Sequence, residues 1–164
     1  MRYSTHTFIQ MAHIHKTALV NHSSQTMFDL IDHVEHYPEF LPWCAGTDLI
    51  LRNDTTTTAT LHLDYQGVQQ SFTTSNKKQA PSTMVMHLTQ GPFSDFLGEW
   101  QFIPLATSAC QINFQLRYEF ENKWFSLLAT PVFNRIANTL VDRFIHRADT
   151  LLYKDSIQCN TTSL

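Results

Sequence analysis

The run from Cys110 to Phe120 alternates without a break, placing Cys110, Ile112, Phe114, Leu116, Tyr118 and Phe120 on one parity and Gln111, Asn113, Gln115, Arg117 and Glu119 on the other. At 100° per residue no helix gathers those apolar groups on one side, whereas a strand sends alternate side chains to opposite faces. The run is therefore a half-buried antiparallel strand with one dry face. The same period recurs in Ala59, Leu61, Leu63 and Tyr65, in Val68, Gln70, Phe72 and Thr74, and in Met84, Met86 and Leu88. Turn signals separate these runs at Asn53-Asp54, Gly67, Ala80-Pro81 and Gly91-Pro92. With Leu49 to Leu51 and Phe96 to Phe102 they make a meander of about six strands, and the β-prone run Ile14 to Val20 supplies a seventh.

Helical period brackets this meander. Asn21-His22-Ser23-Ser24 offers capping side chains to a helix whose apolar stripe is Met27, Phe28, Leu30 and Ile31. Tyr37-Pro38 and Leu41-Pro42 then enforce a compact helical segment or loop rather than a strand. After Glu121-Asn122 a broad stripe runs from Trp124, Leu127 and Leu128 through Val132, Phe133, Ile136, Leu140 and Phe144 to Leu151 and Leu152. From Lys123 to Tyr153 such a helix is about 45 Å long, and Pro131 is expected to kink or divide it near Thr130. The order strand, helical segment, meander, long helix predicts an α+β helix-grip fold, a curved antiparallel sheet wrapped around the C-terminal α-helix. Residues 12–154 read as one domain, 1–11 as a disordered extension and 155–164 as a tail.

Composition narrows the function. A chain of 164 residues holds one core and no separate cofactor domain. Only 4 glycines argue against a phosphate-cradling loop. A net charge of −3 argues against broad nucleic-acid binding, DNA included, because phosphate contacts need concentrated cations. The charge is uneven, however. Arg143, Arg147 and Lys154 fall within about 40° of arc on the C-terminal helix, with Arg135 roughly 80° to one side, and form a candidate basic contact strip. Cys44, Cys110 and Cys159 show no C-x-x-C spacing, and the His residues form no metal-ligand pattern, so no metal site and no catalytic residue is predicted. The acidic run Asp29, Asp32, Glu35 and Glu39 reads as a solvated helix face, and no Ser/His/Asp arrangement is visible. The first ten residues lack an apolar run of signal-peptide length, which predicts a cytoplasmic protein.

The unusual concentration is aromatic and falls in two segments read as loop-associated, Tyr37-Pro38-Glu39-Phe40-Leu41-Pro42-Trp43-Cys44 and Gly91 to Phe102. Large apolar groups there either plug the sheet or line a pocket, and two such segments beside a concave sheet favour a pocket.

These motifs, with the ending Pro131-Val132-Phe133-Asn134-Arg135-Ile136-Ala137-Asn138, resemble the coenzyme Q-binding, START-like (polyketide cyclase/dehydrase and lipid transport) family, which also includes bacterial ribosome-association toxins. The resemblance spans about Ala12 to Tyr153. It implies the same helix-grip fold and a non-catalytic protein without a cofactor that binds ubiquinone or a related isoprenoid, supports respiration and touches the inner membrane transiently. Its toxin members imply the alternative, binding to the large ribosomal subunit that blocks subunit joining. The cavity residues it implies are Tyr37, Phe40, Leu41, Pro42 and Trp43, then Phe93, Leu97, Trp100 and Phe102, with Phe114 from the sheet and Phe133, Ile136, Leu140 and Phe144 from the helix. Trp100 is expected in the core and Trp43 at the mouth. A pocket of about 300 to 1,000 Å³ would bury a polyprenyl chain only in part. A polyketide-cyclase activity is the minor reading, weakened because alternation turns His87 and Glu99 outward.

Overall fold

The computed structural model describes residues 11–161, so the expected N-terminal extension lies outside the described residues apart from Met11. β1 (Ala12–Val20) leads to α1 (Ser24–Asp32) and a 3₁₀ segment (Val34–Glu39). Six strands follow, β2 (Cys44–Arg52), β3 (Thr56–Tyr65), β4 (Val68–Gln79), β5 (Thr83–Gln90), β6 (Phe93–Ala106) and β7 (Ala109–Phe120), and then α2 (Lys123–Thr161). The seven strands form one antiparallel sheet in the order β1-β7-β6-β5-β4-β3-β2. This is the predicted α+β helix grip, with the meander closed by β1 pairing to the last strand.

Local chemistry explains the joints. The Ser23 hydroxyl accepts from the Thr26 N–H at 3.1 Å and caps α1, which buries Met27, Phe28 and Ile31. Gln66 and Gly67 both take positive φ, 50° and 82°, which matches the twist of a two-residue hairpin and fixes the Tyr65–Val68 register. Gly98 marks a close approach, since a Cβ there would meet Met86 Cε at 2.1 Å.

α1 and the 3₁₀ segment cross from the β1 edge to the β2 edge, while α2 lies over the inner face. Its Phe133, Ile136, Ala137, Val141, Phe144 and Ala148 are buried against Trp100, Phe102, Phe114 and Tyr118 of the sheet. Trp100 stacks on Phe114 at 4.2 Å between centroids and meets Phe144 edge-on at 5.7 Å.

Four expectations are corrected. α2 is not divided at Pro131: Ala129 and Phe133 pack inward on either side of it, and the Tyr118 hydroxyl donates to the Thr130 carbonyl at 3.3 Å. The helix also runs past Tyr153 to Thr161, so residues 155–161 continue it and form no separate tail. Trp124, Leu127 and Leu128 do not cover the sheet but are 81%, 71% and 74% exposed. At 100° per residue they lie opposite Ala129 and Phe133, so the broad stripe is two faces. Finally, Gly91 to Phe102 is largely strand, with a register shift between Phe93 and Asp95 that turns both Phe93 and Phe96 inward.

Candidate ligand cavity

Between α2 and the inner face lies a cavity of about 70 Å³. The sheet supplies Ala59, Leu61, Phe72, Thr74, Asn76, Met86, Phe96, Trp100, Phe114 and Leu116. The helix supplies Phe133, Ile136, Ala137, Leu140 and Phe144, and the crossing segment Val34, Tyr37 and Trp43. The lining thus carries no ionisable carboxylate, amine, imidazole or thiol, and the cavity has no group suited to general acid or base work at neutral pH.

Of the cavity residues drawn from the family resemblance, Tyr37, Trp43, Trp100, Phe114, Phe133, Ile136, Leu140 and Phe144 do line it. Phe93 lines a smaller neighbouring void with Phe120 and Val132. Phe102 is core, edge-on to Phe28 at 5.8 Å. Phe40 packs outside the cavity against Phe144 and beneath the Arg147 guanidinium, which sits 5.2 Å from its ring centre. Leu41 is fully buried away from the lining, and Pro42 is exposed in the turn before β2. Leu97 faces the other side of the sheet, in a surface groove with His13, Glu99 and Arg117, as alternation from the inward Trp100 requires. Trp43 is a wall residue, only 6% exposed, rather than a mouth residue. Among the residues not assigned from sequence, Leu61, Phe72, Met86 and Leu116 carried a signal, the inward parity of their strands. Phe96 and Asn76 carried the same parity signal, counted from Trp100 and from Phe72 and Thr74, whereas Val34 carried none that singled it out.

Trp43 Nε1 and Asn76 Oδ1 are buried and have no hydrogen-bond partner among the described residues. The Tyr37 hydroxyl, by contrast, donates to the Ile31 carbonyl at 2.5 Å, and its burial, reinforced by the Asp32 charge, pushes its pKa well above the ordinary phenol range. Two residues beyond Asn76 on the same face of β4, Lys78 is 8% exposed and its Nζ lies 2.8 Å from Asp32 Oδ2. Thr57 donates to Asp32 Oδ1 at 2.6 Å. Arg52 donates to both Glu35 oxygens, at 2.9 and 2.6 Å, and to the Asp32 carbonyl at 2.7 Å. The Arg52 hydrogen bonds hold the Glu35 carboxyl down to about 2.

Within the acidic run Asp32 alone departs from a solvated face, since it is buried; Glu35 and Glu39 stay exposed, the first paired with Arg52, and Glu39 accepts from Arg147. That last contact, with the Phe40 stack, withdraws Arg147 from the basic strip, leaving Arg135, Arg143 and Lys154 exposed. His22 is likewise buried, 2.6 Å from Asp149. Three strands bring Asp48, His62 and Ser71 into one chain of 2.6 Å contacts that the sequence did not reveal. It sits on the outer face with Asp48 69% exposed, without the enclosure that makes such a relay a strong nucleophile. His87 and Glu99 are exposed, as alternation required. No metal-holding cluster occurs among the described residues, and no described helix is long and apolar enough to cross a membrane.

The family described as polyketide cyclase/dehydrase and lipid transport matches residues 20–145. The chain is 37% identical over 140 residues to the ribosome association toxin RatA of Escherichia coli, covering 85% of this chain and 89% of that one. It is 25% identical to the mitochondrial coenzyme Q-binding protein COQ10 of Drosophila melanogaster, covering 79% of this chain and 55% of that one. Among solved structures, a Streptomyces aromatase/cyclase, Zhui, superposes with a TM-score of 0.74 at 13% identity, covering 85% and 94% of the two chains. A START superfamily protein of Mycobacterium smegmatis superposes with a TM-score of 0.69 at 20% identity, covering 87% and 99%. At these identities the structural likeness concerns the fold.

Proposed function

We propose that this chain, which belongs to the polyketide cyclase/dehydrase and lipid transport family, acts without catalysis as a ribosome-associating toxin that binds the large subunit and blocks subunit joining. The observation that carries this reading is the similarity to ribosome association toxins at 34 to 37% identity over most of both chains. The coenzyme Q-binding relative is more distant and is spanned only in part. The exposed cations Arg135, Arg143 and Lys154 on the outer side of α2 supply phosphate-pairing groups. A ribosomal target implies a cytoplasmic protein. The test is co-sedimentation with purified large subunits at low salt: binding that weakens steeply as salt rises is expected, and absence of wild-type binding at low salt would overturn the reading.

A second reading, a neutral apolar ligand in the cavity, is supported by the unpartnered Trp43 and Asn76 atoms among apolar walls. About 70 Å³ is well below the usual ligand pocket, so a ubiquinone head and its isoprenoid chain require α2 to move off the sheet. Organic extraction of protein purified from its native membranes tests that ligand: recovery of a quinone or other isoprenoid is expected on this reading, and its absence, together with unchanged Trp fluorescence on adding short-chain quinone, removes it. The cavity's lack of an acid or base gives no support to a cyclase activity.

A further inference from the structure

We infer that the start of α2 is a membrane-docking surface: Trp124, Leu127, Leu128 and Pro131 enter the interface of a phospholipid bilayer, with Lys123 and Arg135 at the level of the lipid phosphates. The inference rests neither on ribosome association nor on a ligand in the cavity.

At 100° per residue the four apolar side chains fall within about 100° of arc, so they form one continuous helix face. All four are exposed. Exposed leucines scattered singly carry no message, but large apolar groups gathered at i, i+3, i+4 and i+7 mark an interaction surface. The face cannot turn inward, because the other side of the same turns is committed to the core: Phe125 meets Phe120 edge-on at 5.2 Å, and Ala129 is buried. The helix end also tolerates a poorly hydrated place. Asn122 Oδ1 accepts from the Trp124 and Phe125 N–H groups at 2.9 and 3.0 Å, and the Asn122 carbonyl accepts from the Ser126 N–H at 2.9 Å. None of those three donors needs water.

Charge and area decide what covers the face. Lys123 adjoins Trp124, and Arg135 continues the line of Trp124, Leu128 and Pro131 about 17 Å further along the axis; both are exposed. The acids nearest in sequence are Glu121, just ahead of the helix, and Asp142, about 27 Å from Trp124. Apolar groups flanked by cations are complementary to acyl carbon flanked by phosphate. A second copy of the chain is less suited, since the four residues expose on the order of 500 Å² between them, short of the roughly 800 Å² per partner of a stable interface. An RNA surface pairs with the cations and stacks on Trp124 but offers Leu127 and Leu128 nothing. A bilayer takes every group, the indole among the headgroups and the aliphatic side chains at the acyl boundary. On its inner side the same helix end backs onto the smaller void through Ala129 and Val132.

The protein carries its own reporter. Of its 3 tryptophans, Trp43 and Trp100 are buried and Trp124 is 81% exposed, so lost solvent access on docking is read at Trp124. Full-length protein is mixed with vesicles of phosphatidylcholine, or of phosphatidylcholine and phosphatidylglycerol in equal parts, and followed by emission wavelength, acrylamide quenching and flotation. Docking should shift the emission to the blue, reduce quenching and float the protein with both vesicles. The mixed vesicles should bind more tightly, by at most about fivefold for each cation at the surface. Leu127→Gln/Leu128→Gln should keep the wild-type melting temperature, since both side chains are exposed, and weaken partitioning at least about tenfold. Lys123→Gln should lower the preference for the anionic vesicles and keep binding to phosphatidylcholine.

Absence of flotation with either vesicle overturns the inference, as does a double variant that floats like wild type. Binding confined to the anionic vesicles and unchanged by the double variant overturns it too, reducing the contact to charge. Two further results, each without vesicle binding, reassign the face: a wild-type dimer that the double variant separates gives it to a second copy, and loss of large-subunit co-sedimentation in the double variant gives it to the ribosome.

Discussion

Removing either partner of the Asp32–Lys78 pair should destabilise the fold far more than a helix-surface charge could. The two side chains are 9% and 5% exposed and meet at 2.8 Å. At an effective dielectric of about 20 their attraction is roughly 6 kcal/mol, offset by a desolvation cost of several kcal/mol for each ion. The intact pair thus contributes little net, but an orphaned partner keeps its desolvation cost, and such losses run at about 3–5 kcal/mol. Asp32→Asn leaves the Lys78 ammonium without its carboxylate and belongs at the upper end. Lys78→Met belongs at the lower end, because Asp32 retains Thr57 at 2.6 Å and Arg52 Nε at 3.5 Å. For a chain of this size about 1 kcal/mol moves the melting temperature by roughly 2–4 °C, so each single variant should lose about 6–20 °C. The double variant should recover much of that, since no ion is then left alone. Urea denaturation and thermal melts by circular dichroism of wild type, both singles and the double close the cycle. Single losses below about 1 kcal/mol, or a double variant that simply sums them, would refute the buried-pair argument.

Other consequences are more local. Trp100→Ala should cost about 3–5 kcal/mol in denaturant titration, because the ring stacks on Phe114 at 4.2 Å and is almost wholly buried, whereas Trp43→Phe removes only part of a ring and should cost less. Glu35 carries a pH signature: Arg52 holds its carboxyl at about 2 instead of 4.5, so the stabilisation is fully present above about 4.5 and is lost as pH falls toward 2. Glu35→Gln should therefore lower the melting temperature at pH 7 and match wild type near pH 2, and a gap that persists at pH 2 counts against the ion pair. Arg147→Glu should lower the melting temperature by setting like charge against Glu39 and removing the cation over Phe40. Arg143→Glu, on an exposed residue, should stay within about 0.5 kcal/mol of wild type and instead weaken co-sedimentation with large subunits.

The sheet was legible because its signal is periodic and local: the parity of Cys110 to Phe120 alone marked which side chains the fold would bury, and every one of them is buried. What escaped depended on departures from period. One inserted residue near Phe93 turned that side chain into the core, although alternation counted from the inward Trp100 would turn it outward. Trp124, Leu127 and Leu128 look like core by composition, yet they project on the helix side opposite Ala129, because hydrophobicity does not say where a helix overhangs its sheet. The polar residues were hardest. Asp32, Thr57 and Lys78 lie on three elements, and only the curvature that brings β3 and β4 under the end of α1 turns an apparent solvent face into a buried network.

The two surfaces that matter share one helix. Phe133, Ile136, Leu140 and Phe144 face the cavity, while Arg135 and Arg143 are exposed to solvent. Arg147 stands between them: its aliphatic stem and guanidinium close over Phe40, and its contact with Glu39 fastens α2 to the 3₁₀ segment that carries Tyr37 and Val34 into the cavity wall. Residues on the outer side can consequently be changed without touching the cavity, and Trp43 or Asn76 can be changed without touching the cations. A sequence-level basic strip that included Arg147 would have mixed these roles. Separating them makes the proposed ribosome association and the proposed cavity ligand independently testable on the same folded chain.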